Sequence, residues 1–209
     1  ARAALAGRAA AWAAGSTSEM EHHPIADWVT RLQDRYPGDL GVLGPLVFNL
    51  LRLEPGEALY LGAGVPHAYL EGVGMELMAN SDNVIRGGLT SKPVDAAELM
   101  RVTRCRGGAP RRVIPRLGPQ GERLYCTPAR EFLLSDIELR PGRPLPPRGR
   151  RAVEVLFCLE GPVTLHCPAA TAPEARTLVL EHGQSILIPW AAPPCGLSGE
   201  GRLFRASVP

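Results

Sequence analysis

Two stretches of this chain repeat one spacing, and that repeat restricts the fold more than any other feature. Residues 55–69 read "PGEALYLGAGVPHAY" and residues 182–196 read "HGQSILIPWAAPPCG". Each has a Gly, five residues of alternating strand character, then a turn. Gly56 is followed six positions later by Gly62 and eleven later by His67. Gly183 is followed six later by Pro189 and eleven later by Pro194. Spacing repeated in this way predicts two copies of one β unit.

The rest of the chain fits that expectation. From residue 41 on, "PLVFNLLRL", "EALYLG", "HAYLEG" and "GMELMA" are short apolar runs between Pro and Gly turns, and "LEPGEAL" reads as a turn between strands. Strand patterns resume at "EFLLSDIEL" and continue through "AVEVLFCLEGPVTLHC", "TLVLEHGQSILIPW" and "GRLFRASV". The turn-rich C-terminal half shows no helical pattern. Short strands with regular turns predict a sandwich or barrel, so the fold class is mainly β. Helices are expected over residues 1–14, over Ile25–Tyr36 and over 94–102. In the second of these, Ile25, Trp28, Val29, Leu32 and Tyr36 share one face, Pro24 suits the first turn and Pro37-Gly38 stops it. Residues 104–121 are rich in Arg, Gly and Pro and read as an exposed connection.

Composition excludes several function classes. A net charge of +2 lacks the basic excess of an electrostatic nucleic-acid binder. No apolar run approaches the length that spans a bilayer. The five Cys are odd in number and scattered without a C-x-x-C, which predicts reduced thiols in a cytoplasmic protein. The Ala-rich start, "ARAALAGRAAAWAAG", lacks the Leu-rich core of a secretory signal. A first residue that is Ala rather than Met suggests a fragment or a processed chain.

The chemistry concentrates in residues 64–92, "GVPHAYLEGVGMELMANSDNVIRGGLTSK". His67 follows a strand and a turn, where a barrel mouth places metal ligands; the alternative is a His packed at a strand end. One His cannot hold zinc, which takes three or four protein ligands. Glu76 lies within "GMELMA". Facing a barrel interior it would have a raised pKa suited to a general base; facing outward it would be an ordinary strand Glu. Asp82, Asn83, Arg86 and Lys92 fall in a segment with two Gly. Of the 23 basic residues Lys92 is the only Lys. Arg86 and Lys92 converging on a pocket would neutralise a phosphate, one by its fork and one as a point charge. Equally, Asp82 and Asn83 form a turn and the basic residues are solvated.

The repeat resembles the second motif of the cupin superfamily, in which Gly, Pro, Gly and a metal-binding His recur at fixed spacing. The first copy matches at Gly56, Gly64 and His67. The second keeps Gly183 and Pro189 but has Pro194 in place of the His. Upstream of it, Gly142, Arg148, Arg150, Glu154 and Gly161 fall at the spacing of the first cupin motif, with Arg at both His positions. The second copy therefore looks like a cupin jelly roll that has lost its metal. The string "PHAYLEG…ELMANSDNVIRGGLTSK" is similar to the signature region of the type I mannose-6-phosphate isomerases, with "TSK" where the family favours "TPK". The similarity runs over about residues 25–209, the C-terminal part of such an enzyme.

That resemblance implies one zinc ion, a sugar-phosphate substrate and aldose–ketose isomerisation of mannose 6-phosphate and fructose 6-phosphate. It makes His67 a zinc ligand, Arg86 and Glu76 catalytic-pocket residues, and Tyr69, Asp82, Asn83 and Lys92 substrate-lining residues. The family's other zinc ligands are a Gln-x-His pair and a Glu, expected upstream of this chain; His22 and His23 do not match them. It also implies a helical segment over 1–40, a part of the catalytic cupin over 41–103, a connection over 104–130 and a metal-free cupin-like domain over 131–209. A full-length enzyme of this kind is expected to be a cytoplasmic monomer serving carbohydrate metabolism. A non-catalytic cupin that binds a sugar phosphate, and a structural cupin module holding a partner chain, are the other readings.

Overall fold

The computed structural model describes residues 24–81, 83–148, 153–168 and 176–209. The expected helix over 1–14, His22, His23, Asp82 and Arg150 lie outside them. The chain divides into two compact units. Among the described residues, the first holds 24–54, 61–70 and 83–111, and the second holds 55–60, 71–81 and 112–209.

Helix α1, Pro24–Arg35, opens the first unit. Asp27 in its first turn and Arg35 in its last complement the helix dipole. Leu32 is its buried anchor, and the Arg31 guanidinium stacks on Trp28 at 4.1 Å. Gly38, at φ +82°, takes the left-handed conformation that ends the segment. A 3-10 turn, Leu40–Leu43, and a single helical turn, α2, Gly44–Val47, follow. Helix α3, Ala96–Val102, starts where Asp95 caps it, its side chain accepting a hydrogen bond from Glu98 N at 2.9 Å.

Strands in this region are fewer than the pattern predicts. Of "PLVFNLLRL", "EALYLG", "HAYLEG" and "GMELMA", only the second yields one, β1, Ala58–Tyr60. Residues 45–47 are helical instead, and 61–95 form no strand among the described residues. Tyr69, Val73, Met75, Met78 and Val84 are exposed. A strand is completed by its ladder partner, and the alternating pattern alone does not hold one extended.

The second unit is a β-sandwich. Its large sheet has the order β3-β4-β5-β11-β6-β9 and its small sheet the order β10-β7-β8. The large sheet comprises β3 (Arg116–Leu117), β4 (Arg123–Tyr125), β5 (Leu133–Leu139), β6 (Glu154–Glu160), β9 (Ser185–Ile188) and β11 (Gly201–Ser207). The small one comprises β7 (Val163–Cys167), β8 (Arg176–Leu180) and β10 (Gly196–Gly199). Neighbouring strands in both sheets run antiparallel. A further strand, β2 (Arg111–Val113), pairs with β1. The stretch expected as a connection therefore supplies β2, β3 and β4.

Leu203 on β11, Ile137 and Leu139 on β5, Leu156 and Cys158 on β6, Val163 and Leu165 on β7, and Leu197 on β10 form one buried cluster. It draws on both sheets, so it is the filling between them. Burial alternates along β11, which buries Leu203, Arg205 and Ser207 on the same side. Opposite Leu203 the register slips by one residue on β6. This bulge brings the Glu160 carbonyl so near Gly201 that a Cβ there would overlap it, and only Gly fits.

The thiol expectation is corrected here. Cys167 and Cys195 form a disulfide with a Cα separation of 4.4 Å. β7 and β10 pair His166 with Gly196, so these two Cys come next across the ladder, at the spacing of a non-hydrogen-bonded pair. Cys105, Cys126 and Cys158 are free. Among the described residues no helix is long and apolar enough to cross a membrane.

Candidate functional site

The two repeats match in backbone geometry. Gly56 and Gly183 both take positive φ, +90° and +78°, in the turn before a strand that starts two residues later. After the strand, Val65 N donates to Gly62 O at 3.2 Å, and Ala192 N donates to Pro189 O at 2.9 Å. These four residues are equivalent under the repeat. The turn that delivers His67 in the first copy is therefore the turn that leads to Pro194 in the second.

His67 is exposed, and its Nδ1 lies 3.0 Å from Val65 O. A carbonyl only accepts, so Nδ1 is the donor in this contact, and in the neutral ring that leaves Nε2 as the nitrogen a metal would take. Metal-binding His side chains are commonly oriented this way, through a backbone carbonyl on the other ring nitrogen. The Tyr69 ring meets the imidazole edge-on, with centroids 5.9 Å apart. His67 thus fits a zinc ligand. Among the described residues, no group of three or more His, Cys, Asp or Glu gathers to complete a metal site.

Asn83, Arg86 and Lys92 lie in the same unit as His67 and Tyr69, and all are exposed. Arg86 and Lys92 form no ion pair among the described residues, whereas the nearby Arg101 is held by both carboxylate oxygens of Glu98. Two cations without an ion pair among the described residues, at the ends of a short Gly-containing loop, suit an anionic ligand. Glu76 belongs to the other unit and is exposed on an irregular segment, so the strand expected to carry it is absent. Asp82 lies outside the described residues.

In the sandwich that holds the second repeat, charged side chains at the motif positions are partners of one another. Arg148 Nη1 lies 3.0 Å from Glu154 Oε1 and 3.4 Å from Ser207 Oγ. Arg205 Nε lies 3.3 Å from Glu154 Oε2. Burial lowers the Arg205 pKa, opposed by the charge of Glu154. Motif spacing singles out Arg148 and Glu154. It does not find Arg205 and Ser207, whose alternation with Leu203 on β11 is the available signal. On the other face of the sheet Asp136 is buried, and Arg202 grips it through two bonds of 2.9 and 2.8 Å. That contact, chiefly the hydrogen bond, raises the Arg202 pKa.

No protein-family model matches the chain. Individual proteins do. A mannose-6-phosphate isomerase of Salmonella typhimurium is 36% identical over 177 residues, 83% of this chain and 43% of the relative. Mannose-6-phosphate isomerase 2 of Arabidopsis thaliana is 39% identical over 205 residues, 91% of this chain and again 43% of the relative. A crystal structure of the Salmonella enzyme, bound to substrate and to a zinc atom, superimposes with a TM-score of 0.75 at 33% identity, covering 98% of this chain and 49% of that one. The chain thus spans less than half the length of these relatives. In sequence and in its antiparallel β architecture, the chain belongs to the mannose-6-phosphate isomerase family of cupins.

Proposed function

We propose that this chain supplies one wall of the active site of a zinc-dependent mannose-6-phosphate isomerase and corresponds to the C-terminal part of that enzyme. The observation that carries the reading is His67, at the ligand position of the repeat with Nδ1 donating to Val65 O. His67 contributes one zinc ligand, and the others come from outside the described residues. Arg86 and Lys92 offer positive charge to the phosphorylated sugar. Arg86 is the catalytic candidate, and Tyr69, Asp82 and Asn83 line the substrate. Glu76 joins them by resemblance alone.

The reaction moves a proton between C2 and C1 of the sugar through an enediol. Zinc, when bound, orients the sugar hydroxyls and stabilises negative charge developing on oxygen. Residues 131–209 serve as a metal-free companion domain, with Pro194 at the lost ligand position and Glu154 neutralised by arginines. The whole enzyme works in the cytoplasm as a monomer.

The test is an isomerase assay of the 209-residue chain with added zinc. The expected result is no turnover. Rates near those of a complete relative would overturn the claim that the site is incomplete. The lack of further metal ligands beside His67 among the described residues favours one further reading, a sugar-phosphate binder without turnover. Calorimetry with mannose 6-phosphate tests that reading: no binding by the wild type, or binding that Arg86→Ala leaves unchanged, would remove it.

A further inference from the structure

Asp39 joins two segments of the first unit that lie fifty residues apart. Its Oδ1 accepts a hydrogen bond from Gly41 N and its Oδ2 one from Leu89 N, both at 2.7 Å. Leu89 sits in the loop that links Arg86 to Lys92. That loop is strained: Leu89 has φ +51°, and among the described residues it is the only non-Gly residue with positive φ. Gly88 beside it has φ +133°, and a Cβ there would lie 2.8 Å from Asp39 Oδ1 and 3.3 Å from Gly41 Cα. The loop therefore rests directly on the carboxylate. Asp39, Leu89, Thr90 and Ser91, with Arg35 and Tyr36, line an open depression of about 470 Å³.

Strain of this kind persists only where the surroundings enforce it. The carboxylate is the visible enforcer, through a charge-assisted bond to the strained residue's own N–H. We propose that Asp39 is a positioning residue. By holding Gly88–Leu89 in this conformation it fixes where Arg86 and Lys92 present their charges to the phosphorylated sugar. The idea rests on the proposed function of residues 64–92.

A purely local role for Asp39 would be to cap the 3-10 turn, and Asn caps as well as Asp does. Asn has one accepting oxygen, however, and its NH2 group only donates. It can serve Gly41 or Leu89 but not both in this geometry. With its oxygen on Gly41 N, Asp39→Asn keeps the cap and drops the Leu89 bond, and unchanged exchange at Gly41 N–H shows that the cap is kept. Gly88→Ala attacks the same contact from the loop side with Asp39 intact.

The experiment is NMR on the 209-residue chain, reading amide exchange and the response of residues 83–92 to fructose 6-phosphate. In both variants exchange at Leu89 N–H should rise roughly tenfold, the equivalent of one hydrogen bond to a charged group, with amides of β5 and β11 unchanged. Affinity for fructose 6-phosphate should fall by a similar factor. Unchanged Leu89 exchange overturns the proposal. So does a general rise across helix α1 and the loop alike, which would mean lost stability and nothing more specific. Unchanged affinity with a loosened loop also overturns it, because the loop would then be held without consequence. A wild-type chain that gives no response to the sugar phosphate sinks the reading of the site itself, while Leu89 exchange still reports whether Asp39 holds the loop.

Discussion

Glu154 and Arg205 form an ion pair inside the sandwich, Nε to Oε2 at 3.3 Å, with side-chain exposures of 11% and 3%. Arg205 Nε and Nη1 make no well-aligned hydrogen bond, so Glu154 is the main compensation for a buried guanidinium. Removing one partner of a buried pair leaves the other charge uncompensated, which costs about 3–5 kcal/mol. Glu154→Ala is expected to lose stability on that scale in urea unfolding. A loss below about 1 kcal/mol, the size of a surface pair, would show that the cluster is effectively solvated.

Gly201 faces the Glu160 carbonyl across the β6–β11 bulge. Gly201→Ala should cost about 1–3 kcal/mol by overpacking. The check is the shift in denaturation midpoint. A neutral result would mean that the bulge relaxes freely.

The thiols give a direct count. Cys105 and Cys126 are exposed, Cys158 is buried, and Cys167 is bonded to Cys195. Burial, and then the charge of Glu181, raise the Cys158 pKa, which slows its reaction further. Without reductant, a thiol reagent at neutral pH should label two Cys quickly and a third only on unfolding. Rapid labelling of all five would rule out the disulfide.

Alkaline pH should weaken the second unit. Tyr125 donates its hydroxyl proton to Gly56 O at 3.0 Å. Burial, and then the charge of Asp136, raise its pKa in the folded state. A raised folded pKa means that the folded state holds its proton more tightly. The resulting stability is present below the ordinary tyrosine value of about 10 and is lost as pH rises through the folded pKa. Unfolding free energy measured from pH 8 to 11 should decline at the upper end, less steeply for Tyr125→Phe. A rise with pH would contradict the assignment.

Zinc binding should be weak in this chain. His67 would supply one ligand, and a stable site needs three or four. Competition with a chromophoric chelator should find no tight stoichiometric zinc. Retention of one ion per chain, lost on His67→Ala, would reveal a complete ligand set.

Much of this is legible in the residues because the deciding interactions are local. The 3.6-residue stripe of Ile25, Trp28, Val29 and Leu32 specifies α1, and the helical pattern of 94–102 contains α3. The period-2 runs of 131–139 and 201–208 contain β5 and β11. The Gly56 and Gly183 turns, with the hydrogen bonds six to nine residues further on, repeat because each is closed within a few residues. His67 stands out through that same local spacing.

Tertiary structure decided what depends on a distant partner. "GLSG" has little strand propensity, yet it forms β10 because β7 lies beside it. "HAYLEG" and "GMELMA" have better patterns and form no strand, because no ladder lies against them among the described residues. Cys167 meets Cys195 through strand register, and Asp39 meets Leu89 across fifty residues of chain. The sequence by itself determined the turns of the repeat, helix α1 and the strand runs of 131–139 and 201–208. Which strands find partners, which buried charges are compensated and how the Arg86–Lys92 loop is held follow from pairings whose geometry no short window of sequence contains.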